Sequence, residues 1–123
     1  LLVGVYDAGR DIFVTVSKIG TGLTDIEWTE IHKRADKISV DKKPARVDSN
    51  LEPSVWIKPQ IVIEVLADEI TRSPNHTAGK DKEGIGYALR FPRLVRFREA
   101  DKQAEDATTV KELVEMFKLQ FKK

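Results

Sequence analysis

The densest concentration of charge with chemical potential lies in Arg90-Phe91-Pro92-Arg93-Leu94-Val95-Arg96-Phe97-Arg98-Glu99-Ala100-Asp101-Lys102. Four of the chain's eight arginines fall in its first nine positions. A guanidinium presents a planar fork of donors that matches phosphate oxygens, so arginines at regular spacing suit a polyanion. Alternate residues of a strand share a face, which puts Arg96 and Arg98 together on one side and sends Val95 and Phe97 the other way, into the core. The same pattern fits a solvated face whose arginines pair with carboxylates, and spacing weighs the two readings evenly.

A second group is Val16-Ser17-Lys18-Ile19-Gly20-Thr21-Gly22. Glycines let backbone amides approach a phosphate closely, Thr21 offers a hydroxyl and Lys18 a point charge, although Gly-x-Gly by itself is more often a plain turn. His32 and His76 lack metal-ligand spacing and receive no role. Glu64 interrupts an apolar run, where it could be paired, face solvent or touch a neighbouring domain. No serine or histidine constellation suited to nucleophilic catalysis is present.

The elements that must position these groups can be read from period and punctuation. Residues 1–6 are apolar and β-prone, 7–11 are turn chemistry, and 12–19 alternate with Ile12, Val14 and Val16 on one face: a β-hairpin. Thr24 and Glu27 form a capping box that opens a helix running to about Asp36. Residues 36–53 read as loop, with Ala45-Arg46-Val47 as a short extended piece. A third strand is centred on Ile61-Val62-Ile63-Glu64-Val65-Leu66, residues 71–86 read as a long exposed connection, and 87–98 form a strand interrupted at Pro92. Thr109 and Glu112 cap a last helix, about 109–121, whose Val110, Leu113, Val114, Phe117 and Phe121 share one face. Trp28 and Trp56 are assigned to the core or to helix packing. Short strands without βαβ alternation predict a mainly β domain: a five-stranded oligonucleotide-binding (OB) barrel with an inserted helix and an appended C-terminal helix.

Composition narrows the function classes. The 123 residues fit one domain, 1–123, with a modest core. Lys+Arg is 21 against Asp+Glu 20, so any attraction for nucleic acid must be local. The absence of cysteine rules out disulfides and thiolate metal sites and suits a reducing cytoplasm. No apolar run is long enough to span a bilayer and no signal peptide is evident, so no membrane partner is expected. Leu1 enters a strand pattern at once, as in a piece of a longer chain. The high charge with little Met and no Cys is a bias of thermophile proteins.

The arginine segment resembles motif VI of ATP-dependent DNA ligases, in which Arg-Phe-Pro-Arg leads into an Arg-x-Asp-Lys ending. Glu105-Asp106-Ala107-Thr108-Thr109 is similar to that family's link into its last helix. Lys18-Ile19-Gly20-Thr21-Gly22 resembles the segment that ends its second barrel strand, and Leu-Leu-Val-Gly-Val-Tyr its first. The resemblance covers nearly the whole chain and points to a ligase of the archaeal or eukaryotic replicative type. It implies a C-terminal OB module that binds DNA and closes the active site of a nick-sealing enzyme. That enzyme uses ATP and Mg2+, neither held by this module alone, and passes through a lysyl-adenylate and a DNA-adenylate. Arg98 and Lys102, with Arg96 and Asp101, are implied to serve the pyrophosphate side. Lys18, Gly20, Thr21, Gly22, Arg90, Phe91 and Arg93 are implied to face DNA, Phe91 as a wedge in the minor groove. Nicked duplex DNA and the nucleotidyltransferase domain of the same chain are the implied partners, and a sliding clamp is a further candidate.

Two departures qualify the match. Arg98-Glu99-Ala100-Asp101-Lys102 has one residue more than Arg-x-Asp-Lys, so either the turn bulges or the register shifts. The family's nucleophilic Lys-x-Asp-Gly is absent, which predicts that this segment alone neither self-adenylylates nor seals. The competing readings are a non-enzymatic OB module that stacks single strands on exposed aromatics, and the OB domain of an RNA ligase or capping nucleotidyltransferase.

Overall fold

The computed structural model describes residues 1–20, 23–98 and 102–121. β1 (Leu2–Asp7) and β2 (Ile12–Lys18) pair antiparallel through a tight turn. Asp11 closes that turn with φ 55, and its carboxylate accepts from the Tyr6 hydroxyl and from Arg46 Nη2. α1 (Asp25–Asp36) begins at the foreseen capping box: Thr24 Oγ1 accepts from the Glu27 amide at 3.1 Å and Glu27 Oε1 from the Thr24 amide at 2.9 Å. The stretch expected to be loop holds two-residue strands, β3 (Ser39–Val40) and β4 (Val47–Asp48). β3 pairs with β5 (Trp56–Ile57), and β4 runs parallel to β2.

The remaining strands form one long bent hairpin. β6 (Ile63–Leu66) continues into β7 (Glu69–Ser73), and β8 (Gly86–Arg90) into β9 (Arg93–Phe97). β7 pairs with β8 and β6 with β9, and the register carries unchanged across the break between Leu66↔Arg93 and Glu69↔Arg90. The break falls at Phe91 and Pro92, and Pro92 has no amide to lend to a ladder. A second irregularity lies between Glu64 and Val65, where Val95 is the extra residue on β9. The extra residue reverses the alternation. Leu94 is buried and Val95 is 50% exposed, so Val95 does not point into the core as strict alternation predicted.

The expected long exposed connection after Thr71 is also corrected. β7 extends to Ser73, and His76, Thr77 and Ala78 are buried. The Ala78 amide donates to Thr15 O at 3.0 Å and the Tyr87 amide to Ala78 O at 2.9 Å, which carries this segment between β2 and β8. Two threonines satisfy the buried backbone: Thr77 Oγ1 accepts from the Thr15 amide and Thr15 Oγ1 from the Thr77 amide. Gly86 is required here, since a Cβ would lie 2.2 Å from His76 O.

Among the described residues the architecture is mainly β with two α-helices, consistent with an OB-type domain. Its ladders are short and fall into four separate sheets, without one closed hydrogen-bonded ring. Val5, Val14, Val16, Ala78 and Leu113 make the core. Leu113 belongs to α2 (Val110–Leu119), so the appended helix contributes one buried side chain to the core and packs Val110 against it. Thr109 and Glu112 cap it reciprocally. Gln120 holds β7 beyond its last turn, its carboxamide bonding both the amide and the carbonyl of Ile70.

Candidate functional site

Ser17 Oγ donates to Leu89 O at 3.4 Å, so the end of β2 lies beside the end of β8. One residue further along each strand come Lys18 and Arg90, both exposed. The Lys18 to Gly20 segment and the Arg90 to Arg93 bend, far apart in sequence, therefore meet at one end of the fold. Gly20 is exposed with no atom within 4 Å of where a Cβ would be. Thr21 and Gly22 lie outside the described residues.

At the bend Phe91 adopts φ 54 and is 59% exposed, apart from the core. The Arg90 guanidinium lies 5.0 Å from its ring centroid, and Arg90 Nη1 donates to Glu69 Oε1 at 2.9 Å. Arg93 Nη1 donates to Phe91 O at 2.8 Å and Nη2 to Asp68 Oδ1 at 3.0 Å. Arg96 Nε lies 3.4 Å from Glu64 Oε2, its direct cross-strand partner, which gives Glu64 the paired role left open by its sequence position.

Arg90, Arg93 and Arg96 thus each meet a carboxylate on the facing arm of the hairpin, Asp68 lying in the break between β6 and β7, which is the bland alternative that spacing left standing. The two readings are compatible. Exposed pairs of this kind contribute about 0–1 kcal/mol each, so a phosphate can take the place of the carboxylate. Sequence reasoning missed Asp68 and Glu69. Their signal was a polar Asp-Glu step breaking the strand opposite Arg-Phe-Pro-Arg, visible only once the hairpin is folded.

The pyrophosphate-side residues are placed differently. Arg96 is exposed on β9, and the amide of half-buried Arg98 donates to Val62 O at 2.8 Å, continuing the β6–β9 pairing. Arg34 of α1 stacks over the Phe97 ring at 4.4 Å, which fixes the inserted helix against this end of β9. Lys102 is half-buried near the start of α2, where its charge helps hold the Glu112 carboxyl below its ordinary range. The larger causes of that shift are the backbone and hydroxyl hydrogen bonds from Thr109. Asp101 and the extra residue before it lie outside the described residues. Among the described residues no cluster of three His, Asp or Glu side chains could hold a metal ion, and no helix is long and apolar enough to cross a membrane.

Residues 1–102 match the family described as ATP dependent DNA ligase C terminal region. A probable DNA ligase of Dictyoglomus thermophilum is 56% identical over 99% of this chain. The DNA ligases of Sulfurisphaera tokodaii and Aeropyrum pernix are 47% and 44% identical over all of it. In each case the chain spans only 21% of the relative's length. The chain belongs to the family of C-terminal regions of ATP-dependent DNA ligases.

Proposed function

We propose that this chain is the DNA-binding and active-site-closing module of a nick-sealing, ATP-dependent DNA ligase. The observation that carries the proposal is the convergence of Lys18, Gly20, Arg90 and exposed Phe91 at one end of the fold, in a chain of near-zero net charge. Cations and a backbone-accessible glycine serve phosphates, and an exposed aromatic serves as a wedge between base steps. Thr21, Gly22 and Arg93 complete this surface in the proposal.

ATP, when bound by the whole enzyme, supplies the adenylyl group and leaves as pyrophosphate, with Mg2+ offsetting phosphate charge. On this chain Arg96, Arg98 and Lys102 bring positive charge toward that leaving group, and Asp101 belongs to the same motif. Arg96 fits an oligophosphate because it is exposed and its ion pair among the described residues, with Glu64, lies at the surface. Using one domain for both steps requires it to turn between them about a hinge to the nucleotidyltransferase domain. The site of action is the cytoplasm, and a sliding clamp is a further partner of the whole enzyme.

A single-strand stacking module is disfavoured by the aromatics. Among the described residues only Phe91 and Phe121 are largely exposed aromatic rings, and Phe121 packs edge-on against Phe117. The test is fluorescence anisotropy of this chain with nicked duplex, intact duplex and oligo-dT at several salt concentrations. Preference for the nicked duplex is expected, with affinity falling as salt rises by about 0.9 counterions per phosphate contacted. Preference for oligo-dT, or salt-independent binding, would overturn the proposal.

A further inference from the structure

Phe91 is one of two non-glycine residues with positive φ among those described. For a bulky L-residue this conformation is costly and persists only when the surroundings enforce it. Pro92 follows and offers no amide, so the ladder cannot enforce it there. The restraint comes from Asp68, in the break between β6 and β7 that faces the bend. The Asp68 amide donates to Arg90 O at 2.9 Å. The Asp68 carboxylate grips Arg93 Nη2, and the other prong of the same guanidinium grips Phe91 O. The carbonyls on both sides of the bend are thus tied, directly or through Arg93, to one aspartate.

We infer that Asp68 and Arg93 form a latch that holds Phe91 in its outward conformation, which makes them positioning residues for the contact with nicked DNA. The inference rests on the proposed function and reassigns Arg93. Two nitrogens of its guanidinium are committed to the bend, whereas Arg90 makes one ion pair and lies over the Phe91 ring. Arg90 and Phe91 face outward to DNA, and Arg93 acts behind them.

The latch can be separated from simple electrostatics by the sign of one effect. Removing a carboxylate from a surface that binds a polyanion should strengthen binding. The latch requires the reverse. Asp68→Ala, Asp68→Asn, Arg93→Lys, Phe91→Ala and the Asp68→Ala/Phe91→Ala double variant are titrated with nicked duplex, using this chain. NMR backbone shifts and amide couplings report the conformation at Phe91, and those of Val14 and Leu113 report an intact core.

Asp68→Ala is expected to weaken binding by about three- to ten-fold and to release Phe91 from positive φ. Arg93→Lys, which keeps the charge but loses the two-pronged grip, should do the same. Asp68→Asn, which keeps an acceptor, should fall between wild type and Asp68→Ala. In the Phe91→Ala background the Asp68→Ala effect should vanish. Unchanged or tighter binding by Asp68→Ala with Phe91 still at positive φ would overturn the latch alone. Phe91→Ala binding as tightly as wild type would instead overturn the DNA-facing role of Phe91, and the inference with it.

Discussion

His76 is buried with its Nδ1 3.2 Å from Thr15 Oγ1, inside the threonine pair that joins β2 to the segment before β8. Burial lowers its pKa, and the charge of nearby Lys18 lowers it further. The folded chain therefore favours the neutral ring, while the unfolded chain takes up a proton at the ordinary histidine value. Stability should be level at neutral pH and should fall as pH drops through that range toward the lowered folded value. The limiting slope for one proton is about 1.4 kcal/mol per pH unit. Urea midpoints measured from pH 8 to 5.5 should show this decline, and His76→Gln should flatten it. The sequence did not announce this residue, because Pro74, Asn75 and Gly79 around it carry every local mark of an exposed loop. Only the closure of Thr15 against Thr77, 62 residues away, makes the position interior. Phe91 was singled out by resemblance alone: Pro92 marked an interrupted strand, but only the likeness of Arg90-Phe91-Pro92-Arg93 to motif VI set its ring apart from the core aromatics.

Where an element is set by contacts within three or four residues, its ends could be read directly. Both helices begin at the Thr-x-x-Glu boxes foreseen at Thr24 and Thr109. Cross-strand events left no such trace. The irregularity opposite Glu64 and Val65 turns Val95 outward, and nothing near Val95 in sequence marks it. The packed face of α2, in contrast, was readable from its period, and Leu113 on that face is its buried residue. Because Leu113 of α2 is part of the core, the helix cap is a stability element of the whole domain. Thr109→Ala should cost about 1 kcal/mol, read as a lower urea midpoint. Thr109→Ser should recover most of it, and equal losses from Ala and Ser would mean that packing of the threonine methyl, not the cap, is what matters.

At the scale of the whole molecule, two cationic groups sit on different parts of one scaffold. Lys18, Arg90 and Phe91 gather where β2 meets the β8–β9 bend. Arg96 stands on β9, Arg98 follows its last residue, and Lys102 lies near the Glu112 carboxylate at the start of α2. The proposal that these groups serve separate steps is best tested in the parent ligase, with self-adenylylation measured without DNA and sealing measured on a pre-adenylylated nick. Arg98→Ala and Lys102→Ala should slow self-adenylylation by an effect worth about 2–4 kcal/mol, because charge on the departing pyrophosphate loses a preorganised cation. Phe91→Ala should leave that step near wild type and impair sealing. The account would be contradicted if Phe91→Ala slowed self-adenylylation as much as Lys102→Ala, or if neither Arg98→Ala nor Lys102→Ala affected it.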